Sequence, residues 1–182
     1  MLATIVLGVL VVLLVRDNRR LREELGAAGK ALIEERTKDS LAVGQAVTPV
    51  TMVGADGQVS RAAFDGDRWT MLFMVAGHCP YCEETVPIWS RLLKETQAEG
   101  NPRLSLVCIQ SDAKSAAELK QLPAPLTAKV VQNERSWLSR VPIVPSVLLI
   151  DNHAVIRRAW FGVPTDMDEQ AMRRVLLGGD ME

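Results

Sequence analysis

From residue 41 onward, the spacing of apolar residues predicts a domain built from alternating strands and helices. Residues 69–76 (WTMLFMVA) are an unbroken apolar run, which is typical of a strand buried on both faces. Residues 83–94 place apolar side chains at helical spacing, and residues 104–109 predict a second interior strand after a break at 99–102. This part of the chain therefore has the order strand, helix, strand.

Shorter elements complete the pattern on both sides of this unit. They are two hairpins (50–53 with 58–60, and 147–150 with 155–160), a brief strand at 129–131, and helices at 113–121, at 133–140 and from Thr165 or Asp166 to about Leu177. Strand–helix units followed by a hairpin and a helix are typical of an α/β domain with a mixed sheet. Residues 41–182 are therefore predicted to form one such domain.

The candidate chemistry lies where the first interior strand meets its helix, in Cys79-Pro80-Tyr81-Cys82. Free backbone N–H groups and the helix dipole at a helix start stabilise a thiolate. Such a position lowers a cysteine pKa from about 8.5 to between about 3.5 and 7.5, so Cys79 is predicted to be a nucleophile near neutral pH. Cys82 follows one turn later, close enough to form a short disulfide. We interpret the pair as redox-active.

Three other interpretations of the cysteine pair are weaker. A zinc site would lack ligands, because the only histidines are His78 and His153 and no second C-x-x-C occurs. A purely structural disulfide would close almost no loop and so would stabilise little. Two buried structural thiols are the third interpretation. The remaining cysteine, Cys108, falls in a predicted interior strand and is expected to be a small buried hydrophobic residue.

The first 40 residues have a different pattern. Residues 2–15 are an uncharged apolar run, shorter than the about 20 residues of a typical span, with no basic segment before it and no small-residue cleavage site after it. Because arginines follow at once, a buried helix is disfavoured, and residues 1–15 are predicted to be an uncleaved transmembrane anchor. Residues 16–40 are charged with a narrow apolar stripe, and are predicted to be a solvated helical stalk or, alternatively, a short coiled-coil or docking seam.

The order of these elements resembles the thioredoxin fold, with the cysteine pair after the first interior strand and Val144-Pro145 before the closing hairpin. The N-terminal hairpin, the insert around residues 113–131 and the anchor make the chain more similar to the membrane-tethered TlpA/ResA-like redoxins, including the MauD-type proteins. The motifs that carry the resemblance are Val43-Gly44-Gln45-Ala46, Asp56-Gly57-Gln58, Cys79 to Cys82 with Pro87 five residues on, and Val144-Pro145-Ser146. The resemblance covers about residues 43–177.

The resemblance implies a fold, an activity and a set of site residues. The fold would be a mixed central sheet with flanking helices and an N-terminal β-hairpin. The activity would be thiol–disulfide exchange with cysteine-containing proteins, and a membrane or soluble redox partner would recharge the pair. The expected site residues are the catalytic Cys79 and Cys82 and, on the substrate-binding surface, His78, Tyr81, Val144 and Pro145. Pro145 would be a cis proline, and the Val144 backbone would pair with the substrate. No cofactor and no metal are expected.

Three positions depart from the pattern of these relatives. His78 stands where thioredoxins carry a tryptophan before the first cysteine. Phe73 stands where a thioredoxin has a buried aspartate, and Thr85 stands where ResA-like proteins place a glutamate. Both usual proton acceptors for the second cysteine are therefore replaced, and the base stays unassigned.

Charge patterning limits the partners and the compartment. A net charge of −1 over 182 residues argues against nucleic-acid binding. The arginines that follow residue 15 would place the domain in the cytoplasm by the positive-inside rule, whereas the redox pair and the resemblance favour the oxidising side. We predict a single-pass protein of the bacterial inner (cytoplasmic) membrane, with a periplasmic or otherwise extracytoplasmic domain that acts in the maturation of extracytoplasmic proteins.

Two alternatives of other classes are retained. Two thiolates suit Cu(I), and His153 could be a third ligand, as in redoxin-like copper-binding assembly factors, although those have three residues between their cysteines. The anchor and stalk could also dock the domain onto a larger membrane complex as an accessory subunit.

Overall fold

The computed structural model describes Arg16 and residues 41–54, 56–64, 66–97, 101–110, 126, 128–131 and 136–179. The chain divides into two compact units, residues 1–40 and 41–182, and the description below concerns the second. The predicted anchor, nearly all of the predicted stalk and the predicted helix at 113–121 lie outside the described residues. Within the described ranges, no helix is long and apolar enough to cross a membrane.

The described part of the domain contains seven strands, two α-helices and one 3₁₀ helix. In chain order they are β1 (Val50–Val53), β2 (Val59–Ala62), β3 (Trp69–Val75), α1 (Pro80–Thr96), β4 (Leu104–Gln110), β5 (Ala128–Val131), the 3₁₀ helix Trp137–Arg140, β6 (Ser146–Ile150), β7 (Ile156–Phe161) and α2 (Asp166–Leu176). Of the predicted helix at 133–140, only the 3₁₀ turn at its end lies within the described residues.

The strands form one mixed sheet in the order β2-β1-β5-β4-β3-β6-β7. Strand β3 pairs in parallel with β4 along its whole length and antiparallel with β6. Strand β5 continues the parallel pairing on the far side of β4, and the β1–β2 hairpin closes that edge. The mixed sheet and its N-terminal hairpin confirm the predicted α/β architecture.

Both faces of the central strands are buried, which explains why β3 is a continuous apolar run rather than an alternating one. Met71, Phe73 and Val75 face the helices and pack in one core with Trp89 of α1. Leu72 and Met74 face the opposite core. This second core also holds Phe64 and Trp137, whose rings meet edge-on with centroids 5.8 Å apart.

Helix α2 begins at a cap that the sequence predicts. The Thr165 side chain accepts a hydrogen bond from the backbone N–H of Asp168, and the Asp168 carboxylate accepts one from the backbone N–H of Thr165. This reciprocal pair satisfies two N–H groups that a helix start leaves free. The helix packs beside α1 on the same face of the sheet, so the two helices cover the core under the cysteine pair.

Candidate active site

Strand β3 and helix α1 place the two cysteines just beyond the carboxyl end of β3, an interior strand of the sheet. Cys79 is the N-cap of α1, and Pro80 takes the first helical position, where its missing N–H costs nothing. The backbone N–H of Cys82 lies 3.2 Å from the Cys79 sulfur. Because this N–H points at that sulfur, it would stabilise a Cys79 thiolate once the pair is reduced.

A disulfide joins Cys79 and Cys82, whose Cα atoms are 5.2 Å apart. The two sulfurs are unequally accessible: Cys79 is partly exposed, whereas Cys82 is only 1% exposed. The asymmetry follows from helix geometry, because Cys82 lies one turn inside α1 on the face that packs against the sheet. Only Cys79 is therefore placed for direct attack by or on another protein.

The loop before β6 brings a second segment to the cysteines across 65 positions of sequence. The Val144–Pro145 peptide bond is cis, as the resemblance implies. The carbonyl oxygen of Val144 lies 3.9 Å from the Cys79 sulfur. The Pro145 carbonyl accepts a hydrogen bond from the Gly162 N–H at 2.8 Å, which ties this loop to the end of β7.

The other two residues expected on the substrate-binding surface, His78 and Tyr81, are both exposed. Tyr81 is 59% exposed on the first turn of α1. His78 lies in the turn before α1 with φ of 52°, a left-handed conformation that is uncommon for a residue other than glycine. The structure therefore places His78 and Tyr81 on the surface beside Cys79, where a docked protein could contact them.

Three exposed apolar residues lie on this side of the domain. Ile143 lies two residues before the cis proline, Phe161 pairs with Ser146 at the end of β7, and Val163 follows the Gly162 contact. We call these three residues with Tyr81 the apolar rim. Ile143 and Val163 were not identified from the sequence; the position of Ile143 directly before Val144-Pro145 was the one sequence signal for either of them. Trp160, the neighbour of Phe161, packs against the helix-side core.

The structure offers no carboxylate close to Cys82 at the two positions where related redoxins have one. Phe73 is buried and its ring meets that of Trp89 edge-on at 5.0 Å. Thr85 is fully buried, and its hydroxyl has no hydrogen-bond partner among the described residues. Glu83 and Glu84 are exposed. Within the described ranges the one buried carboxylate is that of Asp151, at the other end of β6.

The third cysteine and the second histidine lie away from the pair. Cys108 is buried in β4, and burial raises the pKa of its thiol to about 12. His153 lies in the turn after β6, which runs about 13 Å from Ser146 to Ile150 at about 3.3 Å per residue. That separation removes His153 as a copper ligand beside the pair. No group of three metal-ligating side chains occurs in the part of the chain that the structure describes.

Several solved structures are similar to this chain in fold, and some of them are described as thiol–disulfide proteins. A protein described as thiol:disulfide interchange protein DsbE from Chlorobium tepidum is 22% identical, with a TM-score of 0.59 over 76% of this chain and 98% of its own. The thioredoxin domain of a thiol-disulfide oxidoreductase from Bacteroides vulgatus is 18% identical, with a TM-score of 0.56 over 75% and 99%. StoA from Bacillus subtilis is 14% identical, with a TM-score of 0.50 over 70% and 95%.

No protein-family model and no curated protein sequence matches the chain. At these levels of identity the solved structures show the fold, which is thioredoxin-like, and the resemblance to redoxins of the ResA/TlpA type stands on that fold. The remaining functional argument depends on the site itself.

Proposed function

We propose that the protein is a membrane-tethered thiol–disulfide oxidoreductase that acts on cysteine-containing proteins. The observation that carries the proposal is the unequal cysteine pair: a partly exposed Cys79 at a helix N-cap, bonded to a buried Cys82 and lying against the Val144 carbonyl. A structural disulfide needs no such asymmetry, whereas disulfide exchange needs one accessible and one protected sulfur.

In the reducing direction, the Cys79 thiolate attacks one sulfur of a substrate disulfide. The substrate S–S bond breaks, a mixed disulfide forms, and the released substrate thiolate takes a proton from water. The Cys82 thiolate then attacks the Cys79 sulfur, which re-forms the intramolecular disulfide and releases the second substrate sulfur. A dithiol partner must return two electrons and two protons to the pair, and the oxidising direction is the reverse of these steps.

Substrate contact is assigned to the surface around Cys79. An extended segment next to the substrate cysteine would pair with the Val144 backbone, beside Pro145, in the manner of an added strand. His78 and the apolar rim would contact the side chains of that segment. Because the Val144 backbone can pair with any extended segment, this surface favours recognition of exposed, extended cysteine segments in several proteins rather than one rigid partner.

The tether and the compartment rest on the sequence. We propose that residues 2–15 hold the protein in the bacterial inner membrane, that residues 16–40 separate the domain from the bilayer or dock it on a membrane complex, and that the domain acts on the extracytoplasmic side during protein maturation. Deletion of residues 1–40 tests this: we expect unchanged disulfide exchange in vitro and loss of function in cells. Full cellular function of the truncated protein would contradict the tether.

A trapping experiment tests the activity. A Cys82→Ser variant retains attack by Cys79 but lacks the resolving sulfur, so mixed disulfides with natural substrates should accumulate and be identifiable by mass spectrometry. Cys79→Ser is the matched control and should trap nothing. The absence of any trapped protein, although Cys79 reacts with a small alkylating agent, would contradict the proposed activity. The direction follows from the reduction potential: about −270 mV is typical of a reductase and about −120 mV of an oxidant.

A further inference from the structure

The hydroxyl side chains of helix α1 differ in their hydrogen bonding. The Ser90 hydroxyl donates to the Val86 carbonyl at 2.8 Å, and the Thr96 hydroxyl donates to the Leu92 carbonyl at 2.7 Å, each one turn back along the helix. This is the ordinary bond of a serine or threonine inside a helix. Thr85 makes no such bond: its side chain is fully buried, and its hydroxyl is without a partner within the described ranges.

An unpaired hydroxyl in a core is unfavourable, because the group has lost its water and gained nothing in exchange. Such groups are uncommon in native proteins, and a redox or catalytic role is one of the reasons that they persist. Valine has nearly the shape of threonine and would fill the same space without this penalty. The buried hydroxyl at position 85 therefore calls for a state of the protein in which it is paired.

Reduction of the cysteine pair would produce a state in which the Thr85 hydroxyl has a partner. Cys82 and Thr85 are three residues apart on α1, and both belong to its buried face, so their side chains are neighbours. In the oxidised protein the Cys82 sulfur is committed to the disulfide. In the reduced protein it is a buried thiol or thiolate, and a buried thiolate needs a hydrogen-bond donor.

We propose that the Thr85 hydroxyl donates a hydrogen bond to the Cys82 sulfur in the reduced protein and stabilises the thiolate that resolves the mixed disulfide. Thr85 thus acts as a donor to the sulfur and removes no proton from it. Trp89, the other buried donor without a partner in the described part of α1, lies two turns from Cys82, about 10 Å along the axis, and is too far away. The titratable side chains nearest the pair in sequence are all exposed: His78, Tyr81, Glu83 and Glu84. The inference rests on the proposed redox cycling of the pair.

The reduction potential of the pair tests the proposal. Wild type, Thr85→Val and Thr85→Ser, each as the full chain, are equilibrated with glutathione redox buffers at one pH. Thr85→Val removes the donor and should favour the disulfide about tenfold, which makes the potential about 30 mV more negative. Thr85→Ser keeps the hydroxyl and should remain within about threefold of wild type. Thr96→Val, which removes a hydroxyl of the same helix far from the cysteines, is the matched control and should leave the potential unchanged.

Denaturant midpoints of the oxidised and reduced forms supply a second readout. Thr85→Val should lower the midpoint of the reduced protein relative to that of the oxidised protein, whereas a purely structural role would change both midpoints equally. If the valine variant does not fold, Thr85→Ala is measured in the same way against Thr85→Ser. A wild-type potential in Thr85→Val, or an equal shift in Thr96→Val, would overturn the proposal. These measurements use only small thiols, so they stand even if no protein substrate is trapped, whereas a pair that never exchanges with glutathione would overturn both proposals.

Discussion

Strand β6 has a buried polar side chain at each of its ends, and the two side chains differ in their hydrogen bonding. Beyond its last residue, Asp151 is 1% exposed and accepts hydrogen bonds from the backbone N–H groups of His153 and Val155, at 2.9 Å each, and from Arg157 at 2.6 Å. At its first residue, Ser146 is equally buried beside Pro145, and its hydroxyl has no partner in the described ranges.

We call the end of β6 at Asp151 the structural end, and the end at Ser146, beside the cysteines, the reactive end. The Asp151 carboxylate accepts from two backbone N–H groups and from Arg157, and these bonds fix the β6–β7 turn. Around the cysteines, Ser146 and Thr85 are both left unpaired in the oxidised protein. Natural proteins depart from full pairing chiefly at functional sites, and these two hydroxyls lie beside the proposed chemistry.

The largest expected effect of a single substitution falls on activity at the reactive end. Cys79→Ser replaces the nucleophilic sulfur with a hydroxyl that does not exchange with disulfides, so turnover should fall at least about 10³-fold, measured with a protein disulfide substrate. Asp151→Asn should keep turnover within about threefold of wild type, because it lies at the far end of β6. Comparable losses in both variants would remove the distinction between the two ends.

The structural end should show the reverse behaviour. Asp151→Ala leaves the N–H groups of His153 and Val155 without their acceptor, and the free energy of unfolding should fall by about 1–3 kcal/mol in a denaturant titration. The matched control is Arg157→Ala, whose side chain is half exposed, and a loss of at most about 1 kcal/mol is expected. A larger loss in Arg157→Ala than in Asp151→Ala would show that the ion pair, not the turn, holds this end together.

The same network predicts a dependence of stability on pH. Burial raises the pKa of the Asp151 carboxyl, but the hydrogen bonds from Val155, Arg157 and His153 outweigh it, so the pKa lies below its ordinary value. A lowered folded-state pKa gives stability that is present above the unfolded pKa of about 3.9 and is lost as the pH falls through the folded value. The stability difference between wild type and Asp151→Asn should therefore be constant at neutral pH and shrink below about pH 4. A constant difference down to pH 2 would contradict this assignment.

Local patterns predicted the reactive end only in part. An apolar run followed by helical spacing placed Cys79 at a helix start, because strand burial and helix capping are properties of neighbouring residues. The approach of Val144 to Cys79 joins positions far apart in sequence, and only the resemblance to known redoxins indicated it. Exposure of Ile143 and Val163 depends on the packing of whole elements, so hydrophobic periodicity does not predict it. Thr85 was identified as a departure, but its missing partner is a property of the folded core.

The smallest expected effect concerns Cys108, whose buried thiol should be unreactive where Cys79 is reactive. Burial raises the pKa of this thiol to about 12, so at pH 8 the thiol stays protonated, and the side chain is only 2% exposed. In the reduced native protein iodoacetamide should therefore label Cys79 first and leave Cys108 unlabelled until denaturant is added, as followed by mass spectrometry of the peptides. Cys108→Ala should leave the reduction potential unchanged and lower the free energy of unfolding by about 1 kcal/mol, because it removes one buried sulfur from the core below Phe73. Equal labelling of all three cysteines in the native protein would show that burial does not protect Cys108 from alkylation, and would contradict this prediction.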